Sequence, residues 1–262
     1  MRQRGRACRA GLADIFHQIA ADELEDRLLE VNRSFTRPAV VTPFPHLWEG
    51  RLPGARIVPD APVLDLAPGA HDLVIHALAL HWADDPVGQI AQCRRALSPD
   101  GLFLGVAFGN QTLQELRGAL AQAETEITGG LSPRVLPMGE IRDMGGLLQR
   151  AGLALPVADL MSRRASYRDI VHLGRDLRAM GEGNAMAARL RRPTPRAVIA
   201  RAGAIMAEHH ADRDDPSRVA VTFDLVFLTG WAPADSQPRP LRPGSARTSL
   251  ADALNQFRKD DE

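Results

Sequence analysis

The sequence predicts an α/β fold built on a mainly parallel sheet, and three features predict it. Two near-continuous apolar runs, 71–78 and 102–108, flank a single amphipathic helix. Strands buried on both faces read in this way, and short links around one helix make a βαβ unit. A long run near the end, Val219 to Trp231, alternates apolar with small or polar residues before turning wholly apolar. That pattern suits an antiparallel strand closing the sheet.

The elements follow in order. A helix signal spans Leu12 to Val31, with Leu12, Ile15, Phe16 and Ile19 on one face and Leu24, Leu28 and Val31 on another, which predicts a bend near 20–22. Ala39-Val40-Val41 and Arg56-Ile57-Val58 are short strands separated by turn-rich chain. In the βαβ unit, Asp84-Asp85-Pro86 opens the helix, because an acid before a first-turn proline suits the unpaired amides there. Ser98-Pro99-Asp100-Gly101 is expected to end that helix and turn the chain. Helices are predicted near 112–127, 140–151, 169–181 and 195–210, and a strand over 155–161. The expected organisation is an N-terminal helical segment (1–37), a main domain (38–232) with a helical insertion at about 163–215, and a proline-rich extended tail (233–262).

Composition excludes more than it assigns. Thirty-two basic residues balance 32 acidic ones, so nothing in the charge favours nucleic acid. Lys259 is the only lysine, which reads as base-composition bias in the gene. Cys8 and Cys93 form neither a metal spacing nor a disulfide framework, and no metal site is expected. A reducing, cytoplasmic setting is the expectation. No apolar run of ~18 residues is present to span a membrane.

The run Asp72-Leu73-Val74-Ile75-His76-Ala77-Leu78-Ala79-Leu80-His81-Trp82-Ala83-Asp84-Asp85, followed by Arg95-Ala96-Leu97-Ser98-Pro99-Asp100-Gly101-Leu102-Phe103, resembles the fourth strand, helix and fifth strand of class I S-adenosylmethionine (SAM) methyltransferases. The segment Asp60 to Gly69 is similar to the one leaving their third strand. Further on, Gly109-Asn110-Gln111-Thr112-Leu113, Glu124-Thr125-Glu126 with Gly129-Gly130-Leu131-Ser132-Pro133, Met180-Gly181-Glu182-Gly183-Asn184, Thr229-Gly230-Trp231 with Ser236-Gln237, and Ser245-Ala246 resemble the mitochondrial complex I assembly-factor branch. The carrier-protein methyltransferase of biotin synthesis is a more distant likeness.

The resemblance implies a Rossmann-like sheet of seven strands with an antiparallel last strand and extra helices before it. It implies SAM as cofactor, and a protein substrate or partner, a complex I subunit modified by arginine hydroxylation. Through that partner it implies a place peripheral to the inner membrane. On the cofactor side it points to Asp60, Ala61, His76, Ala77 and His81. On the substrate or partner side it points to Trp82, Gly109, Asn110, Gly181, Glu182 and Asn184. Catalytic residues remain unassigned.

Each has a plainer reading. Asp60 contacts adenine or is a turn acid. His76 is a base or a hydrogen-bonded core residue. Trp82 packs the domain or meets a ligand, and His81 caps a helix or meets a ligand. Gly109 admits a substrate backbone or makes a tight turn. The Gly181 and Glu182 segment is a binding loop or a helix end. Arg134, Arg239 and Arg242 meet an acidic partner or are solvated surface, and Cys93 reads as core.

The sequence departs from the family after the first strand. An acidic-x-Gly-x-Gly loop is expected there, because glycines let backbone approach the cofactor. Thr42-Pro43-Phe44-Pro45 stands in its place, with two prolines that carry no N–H. Residues 42–59 are too few for a loop, a helix and a second strand, which need about 25. The first βαβ half-unit is therefore shortened. Two functions stay open: a SAM-dependent enzyme with an altered loop, or a non-catalytic assembly or chaperone-like factor that has lost SAM.

Overall fold

The computed structural model describes residue 7 and residues 11–238. Helix α1 (Ile15–Glu30) precedes strands β1 (Pro38–Val41), β2 (Arg56–Val58) and β3 (His71–Ala77). Then come α2 (Pro86–Ala96), β4 (Leu97–Gly109), α3 (Gln114–Thr128), α4 (Ile141–Arg150) and β5 (Ala154–Tyr167). Helices α5 (Ile170–Ala179) and α6 (Arg196–His209) lead into the closing strand β6 (Val219–Trp231).

The strands form one sheet in the order β2-β1-β3-β4-β6-β5. Strands β2, β1, β3 and β4 run parallel, and β6 runs antiparallel to both its neighbours. This is the expected Rossmann-like sheet with an antiparallel last strand, but among the described residues it has six strands where the family pattern implies seven. The reason is local. Residues 42–55 join β1 to β2 through a single 3₁₀ turn, Pro45–Leu47, so one helix and one strand of the usual pattern are missing.

Alternation along the central strands builds a core on each face of the sheet. Leu73 and Ile75 of β3, Leu104 and Val106 of β4, and Phe223 and Phe227 of β6 face the layer of α1, α3, α5 and α6. Val74, Phe103 and Leu228 face α2 and α4. Phe16 of α1 stacks on Phe223 with ring centroids 4.2 Å apart, so the N-terminal helix shares the main core. Cys93 lies fully buried in the second cluster, as expected, and burial pushes its thiol far up. Among the described residues no helix is long and apolar enough to cross a membrane.

Several local expectations need correction. Helix α1 is one continuous element that buries Phe16, His17, Ala20, Ala21 and Leu24, while Ile15, expected on the face of Phe16, is exposed. The Ser98–Gly101 stretch lies inside β4: Leu97 already pairs with His71, and Asp100 at φ 59° marks the irregularity. Strand β5 continues past 161 to Tyr167, held by unbroken pairing with β6 from Val157 onward. The tail from 239 onward, with Arg239, Arg242, Ser245 and Ala246, lies outside the described residues, as does Cys8.

Candidate functional site

The parallel strands end where open α/β sheets place ligands. Beyond β3, Leu78 takes a positive φ of 46° and donates its N–H to the Val106 carbonyl at 2.9 Å. The chain then winds into a 3₁₀ turn, Leu80–Trp82, which lifts His81 and Trp82 above the strand ends. Asp85 caps α2 by accepting the Gly88 N–H at 2.8 Å, as the acid-proline signal predicted.

A second segment meets this turn from far along the chain. Helix α5 stops at Gly181, whose φ of 83° is the left-handed conformation glycine favours. Gly181 N–H bonds to the Arg178 carbonyl at 3.2 Å and Glu182 N–H to the Leu177 carbonyl at 2.8 Å, a paired helix stop. Gly181 thus acts as the terminator that aims Glu182. The Glu182 carboxylate accepts the Trp82 Nε1–H at 3.0 Å and lies 3.2 Å from His81 Nε2. Both side chains are largely buried, 12% exposed for Glu182 and 4% for His81. An ionised carboxylate only accepts, so His81 donates from Nε2.

These groups line one side of a cavity of about 560 Å³. Phe108, Leu116, Leu177 and Phe223 make its apolar walls, and Arg134 and Asn184 stand at its rim. The rim is built by Glu124 of α3. Its carboxylate accepts Ser132 N–H at 3.0 Å, Ser132 Oγ–H, and the Arg134 guanidinium at 2.6 Å. The guanidinium holds the Glu124 carboxyl down at about 2, against the opposing effect of burial, with Ser132 adding to the lowering. Asn184 donates to the Pro133 carbonyl at 2.9 Å and accepts Met186 N–H at 3.0 Å. The Glu124 to Pro133 motif and the Gly181 to Asn184 motif therefore converge on one rim. Arg134 is not solvated surface: its side chain is 14% exposed and ion-paired. The acid ten residues before it was the available signal.

A smaller cavity of about 350 Å³ adjoins, sharing Trp82, Ala83 and Asp84 with the larger. Asp60 and His76 line it, together with Gln89. Gln89 bridges the wall: its Oε1 lies 3.3 Å from His76 Nε2 and its amide donates to the Ala61 carbonyl at 2.7 Å. Ala77 lies beneath, in the core under the sheet's other face.

The loop after β1 takes a different course. Thr42 N–H goes to the Val58 carbonyl at 3.0 Å, and Phe44 N–H to Thr42 Oγ at 3.2 Å. Pro43 and Pro45 have no N–H. Phe44 is 1% exposed, its ring set edge-on to His17 of α1 at 4.8 Å.

Gly109, the last residue of β4, and Asn110, in the turn after it, line neither cavity. A Cβ at Gly109 would meet Val226 Cγ2 at 2.7 Å and Met144 Sδ at 2.9 Å, so this chain's own atoms fill the space. Asn110 donates to Asp224 at 2.8 Å, and that buried carboxylate also accepts Gln111 N–H at 2.9 Å and Ser162 Oγ–H. Asp224, inside an apolar run, carried no recognisable signal in the sequence.

Strand order, the lone antiparallel strand and the site at the strand ends define the class I methyltransferase fold, and the methyltransferase-domain family model matches residues 10–105. In sequence the chain is similar to the mitochondrial arginine-hydroxylase NDUFAF5. It is 36% identical to the Danio rerio protein of that name over 77% of this chain and 62% of the relative. It is 34% identical to the malonyl-[acyl-carrier protein] O-methyltransferase of Laribacter hongkongensis over 72% of this chain and 61% of that one. The chain thus spans about three fifths of the length of these relatives. Among solved structures, the YcgJ protein of Bacillus subtilis aligns with a TM-score of 0.47 at 11% identity, over 77% of this chain and 94% of that one.

Proposed function

We propose that this chain is an assembly or modification factor for a respiratory complex I subunit, one that engages a protein partner at the larger cavity and has given up SAM. The observation that carries this reading is the loop after β1. Backbone amides at this position would receive the cofactor, yet residues 42–45 supply two N–H groups, both already used within the chain. Phe44 occupies the interior there, and the residues present do not fit SAM in that half. The partner half is built: two distant loops are tied by Glu182, Glu124 and Asn184 around an apolar cavity of a size that suits a ligand or an inserted side chain. Trp82, Glu182 and Asn184 are its polar contacts, and His81 orients Glu182. The similarity to NDUFAF5 supports the choice of partner.

A second reading rests on the smaller cavity. Asp60 and His76 line it and Gln89 ties the Ala61 carbonyl beside them, so an altered SAM site is the competing assignment. Calorimetry with SAM and with its demethylated product, SAH, separates the two. The expected result is no heat with either ligand from folded protein, while a complex I subunit is retained on the immobilised chain. Micromolar binding lost in Asp60→Ala would replace this reading with that of a SAM enzyme.

A further inference from the structure

Strand β5 is the outer edge of the sheet, and it is long. Val157 to Tyr167 pairs residue for residue with β6, and no described strand covers its other side. Edges of folded proteins are normally short, bulged or guarded, because a row of unpaired N–H and C=O groups invites another strand. Here the bulge and Pro156 lie at one end only. Val157 and Leu160 are 55% and 39% exposed on opposite faces of this edge.

We propose that this edge is the interface of a two-fold homodimer, in which β5 pairs antiparallel with β5 of a second copy centred on Met161. The occupant follows from charge and register. Backbone groups alternate sides along a strand, so facing residues in an antiparallel pair must share parity, and allowed registers step by two residues. Centred on Met161, Asp159 of each copy faces Arg163 of the other, twice by symmetry. Val157 then faces Ala165. Centring on Asp159 or on Arg163 sets like charges against each other, and centring on Leu160 or Ser162 leaves both charges opposite uncharged residues. One register alone is self-complementary, as a two-fold interface must be. The groups are available for it. The Asp159 carboxylate is held by Arg27 at 2.6 and 2.7 Å yet keeps 39% of its side chain exposed. Arg163 is exposed and has no ion-pair partner among the described residues.

The test is the mass of the full chain by sedimentation equilibrium over a concentration series, with charge variants. The expected mass is twice 28.5 kDa. Arg163→Asp sets acid against Asp159 at both contacts and weakens association by roughly tenfold or more. Asp159→Lys sets a second base against Arg163 at both contacts, with the same result. Mixing the two variants restores opposite charges at both contacts and restores the dimer. Because Arg163→Asp changes an exposed side chain, it stays folded even if Asp159→Lys, which loses the Arg27 pair, does not. A chain that is monomeric throughout would overturn the proposal. So would a dimer indifferent to Arg163→Asp, since that dimer uses another surface.

Discussion

Trp82 and Glu182, 100 residues apart in sequence, share a 3.0 Å hydrogen bond from indole Nε1 to carboxylate that joins the loop after β3 to the end of α5. The same carboxylate holds His81, so one buried acid fixes two aromatic side chains and one wall of the larger cavity. Removing it takes this acceptor from both side chains. Glu182→Ala should cost about 2–3 kcal/mol in chemical denaturation, while Glu182→Gln, which keeps an acceptor, costs less. Both variants should lose the partner. An Ala variant as stable as the wild type would show that the contact does not hold the loops.

Phe44 is fully buried between two prolines. Phe44→Ala should lower stability by about 3–5 kcal/mol, the usual effect of emptying a core aromatic site. It should not create SAM affinity, because the amide donors are still missing. Differential scanning calorimetry with and without SAM reads both effects. A SAM-dependent rise in Tm would show that steric filling alone closes the site.

Gly109 touches only its own chain. Gly109→Ala should destabilise by about 1–3 kcal/mol through the close approach to Val226 and Met144. Whatever fraction stays folded should bind the partner with unchanged affinity. A stable variant that fails to bind would instead place a ligand against Gly109.

The Glu124 carboxyl sits near 2 in the folded chain against an ordinary 4.5, chiefly because of Arg134. A depressed folded value means that the stabilisation is complete above the unfolded value. It disappears as pH falls from about 4.5 toward 2. The rim over 131–138 should therefore become protease-sensitive across that window, with a protease active in acid. Arg134→Ala should make it sensitive already at pH 7. Equal sensitivity of wild type and variant at neutral pH would count against this tether.

Much of the fold was readable because period and punctuation agree in the middle of the chain. Strands β1, β2, β3 and β6, and the Asp85 cap of α2, lie close to where apolar runs and turn residues put them. Misjudged elements were those settled by distant partners. The far half of β5 reads Ser162-Arg163-Arg164-Ala165-Ser166, a polar stretch with no strand signal, and pairing with β6 alone makes it a strand. In the site, His81, Trp82 and Glu182 were each legible as candidates from their place after a strand or a helix, but their mutual contact was not. Nothing local tells residue 82 that residue 182 will arrive. Arg134 is different, since its partner Glu124 lies only ten residues before it.

The way residues 42–55 close the gap between β1 and β2 also bears on descent. A glycine loop that mutates can revert by single replacements, each neutral while the scaffold persists. Here the scaffold itself is gone: one helix and one strand are absent, and α1 now leans on Phe44 through His17. Recovery would demand an insertion, several replacements and a new seat for the N-terminal helix, all at once. On the proposed reading the step works as a ratchet, and a lineage that has passed it is held to whatever the other end of the sheet can do.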